Sequence, residues 1–152
     1  MTRSTAALFA PFRIRNVELA NRIVMAPMTR SSSPAGVPGA DVAAYYRRRA
    51  EGGVGLIVTE GVYIPHPTSG FDPKVPRMYG EDSLAGWRQV LAGVHPAGAR
   101  MFAQLWHVGM QLSGGQQPSE GILPIGPESM TQSDIDAVIA AYGEAAHNAK
   151  QV

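Results

Sequence analysis

No cysteine occurs anywhere in the 152 residues, which excludes disulfide bridges and thiolate metal sites and leaves the cellular compartment undecided by redox chemistry. A large excess of one charge is missing too. Thirteen Lys and Arg stand against twelve Asp and Glu, a formal net charge of +1, so no broad basic surface for nucleic acid is expected. No apolar run approaches the roughly 18 residues of a membrane span. The N-terminus, from Met1 to Pro11, is too short and too weakly apolar for a secretory signal. A soluble, cytoplasmic protein is the default expectation, with neither nucleic acid nor membrane as partner. The four histidines, His66, His95, His107 and His147, show no ligand spacing such as His-Glu-x-x-His, and no metal site is expected. Neither the dinucleotide fingerprint Gly-x-Gly-x-x-Gly nor a phosphate-loop Gly-Lys-Ser/Thr is present, which counts against Rossmann and P-loop folds.

Three uninterrupted apolar runs are present: Arg22 to Ala26 stopped by Pro27, Val54 to Thr59, and Met101 to Trp106. Amphipathic segments with helical spacing separate them. Apolar runs alternating with helical patterns predict parallel strands buried on both faces. In such architectures ligands bind at the carboxyl ends of strands, so Pro27 to Thr29, Glu60 with Gly61, and Gln104 with His107 are the places to look for chemistry. The chain could bury a substantial core, yet it is shorter than the roughly 250 residues of a complete eight-stranded barrel.

Taken in order, Leu8 to Leu19 reads as a small hairpin turning at Arg15-Asn16, with Phe9 and Phe12 as plugs for one open end of a sheet or barrel. Asp41 is the expected cap of a helix to about Arg49, with one of Tyr45 and Tyr46 in the core and Arg47-Arg48-Arg49 on a solvated face. Glu51-Gly52-Gly53 breaks this helix, and the second strand is expected to end at Thr59-Glu60-Gly61, where glycine would let a planar ligand approach the backbone. The long loop from Val62 to Tyr79 is rich in Pro, Gly and Ser. Its His66 reads equally well as a surface residue or a binding-loop residue. A helix over Ser83 to Val94 makes Trp87 a core anchor. In the third strand Gln104 interrupts an apolar run, and a buried amide is costly unless both ends are paired. It reads as an amide aimed at a heterocycle with adjacent donor and acceptor atoms, the alternative being a satisfied structural glutamine. Thr131 with Asp134 forms a capping-box pattern, followed by a stripe of Ile135, Val138, Ile139, Tyr142, Ala146 and Ala149.

Several motifs occur together: Leu8-Phe9-x-Pro11-Phe12-x-Ile14, then Leu19-x-Asn21-Arg22-Ile23-Val24-Met25-Ala26-Pro27-Met28-Thr29-Arg30, Gly53-x-Gly55-Leu56-Ile57-x-Thr59-Glu60-Gly61, and Gln104-Leu105-Trp106-His107-x-Gly109. In this order the chain resembles, over essentially its whole length, the N-terminal part of the old yellow enzyme family of NADH:flavin oxidoreductases. The resemblance implies an α/β fold: a leading hairpin and about three βα units of a (β/α)8 TIM barrel, incomplete in this chain, with residues 1–152 as the N-terminal part of an FMN-binding domain. It implies FMN as cofactor, NADH or NADPH as reductant, and reduction of an activated alkene such as an enone. By the same resemblance Pro27, Met28 and Thr29 line one edge of the isoalloxazine, and the Thr29 hydroxyl lies near its O4/N5 side. Gly61 lies against the flavin, Gln104 bonds the pyrimidine part of the ring, and Trp106 borders the substrate cavity. The family's substrate-anchoring histidine pair, its proton-donating tyrosine and its phosphate site belong to later strands, so no catalytic residue is assigned here. His107 matches the strand-three motif and not that pair. The chain is therefore expected to be a fragment or a truncated product, prone to self-association or to pairing with a complementing barrel half. A non-catalytic remnant, or an interaction module using open sheet edges, is the rival expectation.

Overall fold

The computed structural model describes residues 4–111 and 123–152. The irregular stretch containing Gly114, Gly115, Pro118 and Gly121 lies largely outside them. Strands β1 (Phe12–Ile14) and β2 (Val17–Leu19) pair antiparallel, with Ile14 opposite Val17. Arg15 turns the hairpin at φ 52°. The plug expectation fails within this chain: Phe9 is 62% and Phe12 43% exposed, and the Arg22 guanidinium sits 5.0 Å from the Phe12 ring centroid.

Strand β3 (Val24–Met25) is shorter than its apolar run. Its entry is clamped by Asn21, whose Nδ2 donates to the Gly53 carbonyl at 2.8 Å and whose Oδ1 accepts the Ile23 N–H at 3.0 Å. Helix α1 (Ala40–Glu51) is capped at Gly39, with no side-chain cap hydrogen bond. Asp41 stands in the first turn, where its charge favours the helix N-terminus without capping it. Tyr46 is fully buried and Tyr45 partly so, as the helical spacing requires. Gly53, at φ 87°, ends the helix in the left-handed region and delivers the chain to β4 (Leu56–Tyr63).

Helix α2 (Glu81–Val94) brings Trp87 into the core at 2% exposure, its indole N–H donating to the Arg77 carbonyl at 3.0 Å. Strand β5 (Arg100–Trp106) and helix α3 (Gln132–Gln151) complete the described elements. The Thr131–Asp134 capping box is formed, the Thr131 N–H donating to Asp134 Oδ2 at 2.8 Å.

The sheet order is β3-β4-β5, all parallel. It is an open, unclosed sheet with alternating β and α elements, the arrangement of a partial (β/α)8 barrel. Ile57, Val62 and Ile64 turn to the helices and join Val42, Tyr46, Trp87, Val90, Val94, Ala141 and Ala145 in one core. The opposite face carries Val24, 49% exposed, Phe102, 41% exposed, and Gln104. The flanking strands β3 and β5 are thus exposed on this face, whereas the central strand β4 is buried on both, with Leu56 and Tyr63 each 5% exposed. Their runs are continuous because the second face is also apolar, although no element among the described residues packs over Val24 and Phe102. The α3 stripe shows the same mismatch. Ala141 and Ala145 are buried, whereas Ile135, Ile139 and Tyr142 are 39%, 65% and 37% exposed.

Candidate functional site

Strand β4 does not stop at Thr59-Glu60-Gly61. It runs on to Tyr63 through a bulge: Val58 pairs with Phe102 and Gly61 with Gln104, so Thr59 and Glu60 together oppose Ala103. The bulge keeps Val58 and Gly61 on the open face and lets two polar residues enter an otherwise apolar strand. Beside the bulge the Gln104 backbone N–H donates to Thr59 Oγ1 at 3.0 Å, and that hydroxyl donates to the Glu60 carbonyl at 2.7 Å.

Glu60 is the charged centre of this end of the sheet. Its side chain is fully buried, a costly placement for a carboxylate unless it is paired and hydrogen-bonded. Oε1 accepts from the Arg30 guanidinium at 2.8 Å, and Oε2 accepts the Arg30 backbone N–H at 3.2 Å. The Tyr46 hydroxyl donates to Oε1 at 3.4 Å and accepts the Glu60 N–H at 2.9 Å. Burial, more than the neighbouring carboxylate, pushes the Tyr46 phenol well above its ordinary value, so it stays a protonated donor. Arg30 also stacks on Tyr45 at 3.6 Å, and Arg49 stacks on the same ring at 3.5 Å.

Arg30 immediately follows Pro27, Met28 and Thr29, so the Glu60 pair holds that segment at the carboxyl end of the sheet. All three are exposed, Met28 by 50%. Gln104 is exposed rather than buried, on the open face beside Gly61. Among the described residues its side-chain amide and the Thr29 hydroxyl make no hydrogen bond, which removes the reading of Gln104 as a satisfied core glutamine. Trp106 shares that face and lies 5.9 Å from the Tyr63 ring. A Cβ added at Gly61 would overlap the Trp106 indole. The small residue therefore first serves to let tryptophan lie against the strand.

A second cluster, which sequence spacing did not reveal, joins the loops after β4 and β5. Thr68 Oγ1 lies 3.0 Å from His66 Nδ1 and 3.1 Å from His107 Nε2, and the two ring nitrogens are 3.3 Å apart. The Gly109 N–H donates to His107 Nδ1 at 3.0 Å, which places the neutral ring's proton on Nε2 and makes that nitrogen a donor. Burial holds both histidines below the ordinary value. Their mutual repulsion adds to this at His107, while Asp134 opposes it at His66. His66 is therefore a partly buried loop fastener. Among the described residues no group of three or more His, Cys, Asp or Glu could hold a metal. A concavity of about 490 Å³ lies elsewhere, lined by Phe12, Glu18, Gly98 and Arg100. It flanks the hairpin and the start of β5, away from the strand ends that carry the polar network.

At its carboxyl end the open parallel sheet presents an exposed Met28 and, without hydrogen-bond partners among the described residues, the Gln104 amide and the Thr29 hydroxyl, at the end where barrel-type α/β proteins bind ligands. The family model for NADH:flavin oxidoreductase / NADH oxidase matches residues 7–152, and the chain belongs to this family, that of the old yellow enzymes. It is 33% identical to 12-oxophytodienoate reductase 7 of Oryza sativa subsp. japonica, over 95% of this chain and 42% of that protein. Identity to an NADP-dependent oxidoreductase of Aspergillus flavus is 32%, over 93% and 41%. The solved structure of morphinone reductase in complex with tetrahydroNAD superposes with a TM-score of 0.79 at 32% identity, covering 95% of this chain and 46% of that one. The chain thus spans less than half the length of these relatives. No helix among the described residues is long and apolar enough to cross a membrane.

Proposed function

We propose that this chain forms the ring-binding wall of an FMN site in an NAD(P)H-dependent oxidoreductase that reduces activated C=C bonds, an enone being the type of substrate. Residues 1–152 are, on this reading, the N-terminal part of an FMN-binding barrel domain in a cytoplasmic enzyme, where NADH and NADPH are supplied. The observation that carries it is the Gln104 side chain: exposed on the open face, unpaired among the described residues, and in register with Gly61. A primary amide offers one donor and one acceptor side by side, the pattern that matches the carbonyl and imide N–H of a flavin pyrimidine ring.

The residues present fit that ring. Gln104 would bond the pyrimidine edge, Pro27 and Met28 would give apolar contact, and the Thr29 hydroxyl would donate toward the ring's electron-accepting side. Gly61 would contribute indirectly, by seating Trp106 flat at the cavity border. FMN bound there supplies hydride transfer from NADH or NADPH to the β-carbon of the alkene. Trp106 and Tyr63 would exclude water from one side of that cavity. The names of the relatives support a nicotinamide reductant: one was solved with tetrahydroNAD and another is called NADP-dependent. No catalytic residue is assigned within this chain.

The exposed apolar faces of α3 and of the sheet also support a second reading, a barrel remnant or interaction module that self-associates or accepts a complementing barrel half. One experiment separates the two. The chain is joined to the residues of morphinone reductase beyond those it covers, and the chimera's FMN content and enone reduction are measured beside its Gln104→Leu variant. The flavin reading expects stoichiometric FMN in the chimera and weakened FMN, or a shifted potential, in a variant of unchanged fold. A folded chimera without FMN overturns it and favours the module.

A further inference from the structure

We propose that the bulge pair Thr59–Glu60 is the positioning unit of the flavin wall, one side chain setting the backbone of Gln104 and the other that of Pro27 to Thr29. The proposal rests on the flavin reading above. Three separated stretches build one ring-binding wall: residues 27–29 and Gln104, which would meet the ring, and Gly61, which seats Trp106 at its border. In the sequence they lie more than thirty residues apart. In the structure two adjacent side chains connect them all.

The extra residue in β4 shifts the register just before Gln104, and Thr59 Oγ1 accepts the Gln104 N–H at 3.0 Å. A side chain, and not strand pairing alone, therefore fixes the height of Gln104 above the sheet and with it the direction of its amide. Glu60 acts in the opposite direction along the sheet. Its two carboxylate oxygens hold both the main chain and the guanidinium of Arg30, the residue next to Thr29. The Tyr46 hydroxyl returns the restraint by accepting the Glu60 N–H at 2.9 Å. Gly61 follows directly, and Trp106 packs where its Cβ would be. A strand that had only to pair would carry a regular apolar residue at each of these positions. Burying a carboxylate and a hydroxyl in the middle of a parallel sheet is explained by what they orient. Thr59 and Glu60 are positioning residues and touch no ligand themselves.

The test uses the whole 152-residue chain with lumiflavin, the ring system without phosphate, as the probe, read by flavin fluorescence and visible absorbance. Wild type binds saturably. Thr59→Val and Glu60→Gln each weaken binding about five-fold or more, under conditions where circular dichroism matches wild type. Thr59→Ser, which keeps the hydroxyl, retains wild-type affinity. Backbone amide exchange accelerates at Gln104 in Thr59→Val and at Arg30 in Glu60→Gln. A merely structural role would lower the denaturation midpoint of these variants and leave the affinity of the folded fraction unchanged. Should Glu60→Gln fail to fold, the Thr59→Val and Thr59→Ser pair decides alone. If Gln104→Leu loses affinity while Thr59→Val and Glu60→Gln bind like wild type, positioning by the bulge is refuted and the flavin reading stands. If wild type shows no saturable response to lumiflavin, the flavin reading falls and this proposal with it.

Discussion

Replacing Tyr46 with phenylalanine removes one oxygen from the core and little else. The ring stays, so packing against Trp87, 6.4 Å away between centroids, is kept and no cavity opens. The hydroxyl accepts the Glu60 N–H at 2.9 Å and donates to Glu60 Oε1 at 3.4 Å. The second contact is long, and Oε1 keeps its 2.8 Å bond from Arg30, so its loss matters little. The first satisfies a buried backbone N–H in the bulge, and an orphaned buried donor costs about 1 to 3 kcal/mol. A loss of roughly 2 kcal/mol is expected, which for a domain of this size lowers Tm by about 4 to 8 °C. Urea unfolding followed by circular dichroism measures it, with the midpoint falling and the m-value unchanged. Tyr45→Phe is the control. The Tyr45 hydroxyl makes no hydrogen bond among the described residues, and its ring still stacks with Arg30 and Arg49, so a change within about 0.5 kcal/mol is expected. If Tyr46→Phe is as silent as Tyr45→Phe, the Tyr46–Glu60 link does not hold the strand ends and the reasoning fails.

Stability should fall on mild acidification. Burial depresses His66, His95 and His107 in the folded chain, so the unfolded chain binds more protons once the pH drops through about 6.5, and folding weakens progressively below it. The urea midpoint is expected to be lower at pH 5.5 than at pH 7.5, with a smaller difference in His107→Asn; an unchanged or higher midpoint in acid contradicts this. Thr131→Ala removes the hydroxyl that accepts the Asp134 N–H at 3.3 Å and should cost about 1 kcal/mol, read as faster amide exchange in the first turn of α3. The open face should drive association, because Val24 and Phe102 are exposed there beside unpaired strand edges. Light scattering after size exclusion is expected to show mass rising with concentration and to show less of it in Phe102→Lys, whereas a monomer at every concentration refutes the argument.

The helices were legible because their apolar residues recur at helical spacing and their ends are punctuated. Gly52-Gly53 and the Thr131 box fall where the pattern places them, and Trp87 anchors the core. Gly39 rather than Asp41 caps α1, since local preference names the first-turn residues without fixing which one leaves the helix. Strand ends were harder to read. The polar pair Thr59-Glu60 looks like a terminus, yet a bulge absorbs it and β4 continues to Tyr63. The apolar pattern overstates burial wherever an apolar face has no cover among the described residues, at Phe102, Ile139 and Tyr142. The pattern records that a face is apolar, not what lies against it. The candidate ring contacts Thr29 and Gln104 came from motifs at strand ends. The side chains that join them did not, because Arg30 and Glu60 are 30 residues apart and Tyr46 and Glu60 are 14, separations that carry no local signal. The one hint was a charged residue ending an apolar run.

A flavin ring is expected to meet this chain at the carboxyl end of its open sheet face. Two-dimensional amide NMR of the nitrogen-15-labelled chain, titrated with FMN, tests it most directly. Saturable shifts of the Gln104 side-chain amide and of the Thr29, Gly61 and Gln104 backbone signals are expected at one common affinity, while Arg47 and Arg48 on the outer face of α1 stay unmoved. Shifts that spare Gln104, or that gather on the outer helices, would contradict it.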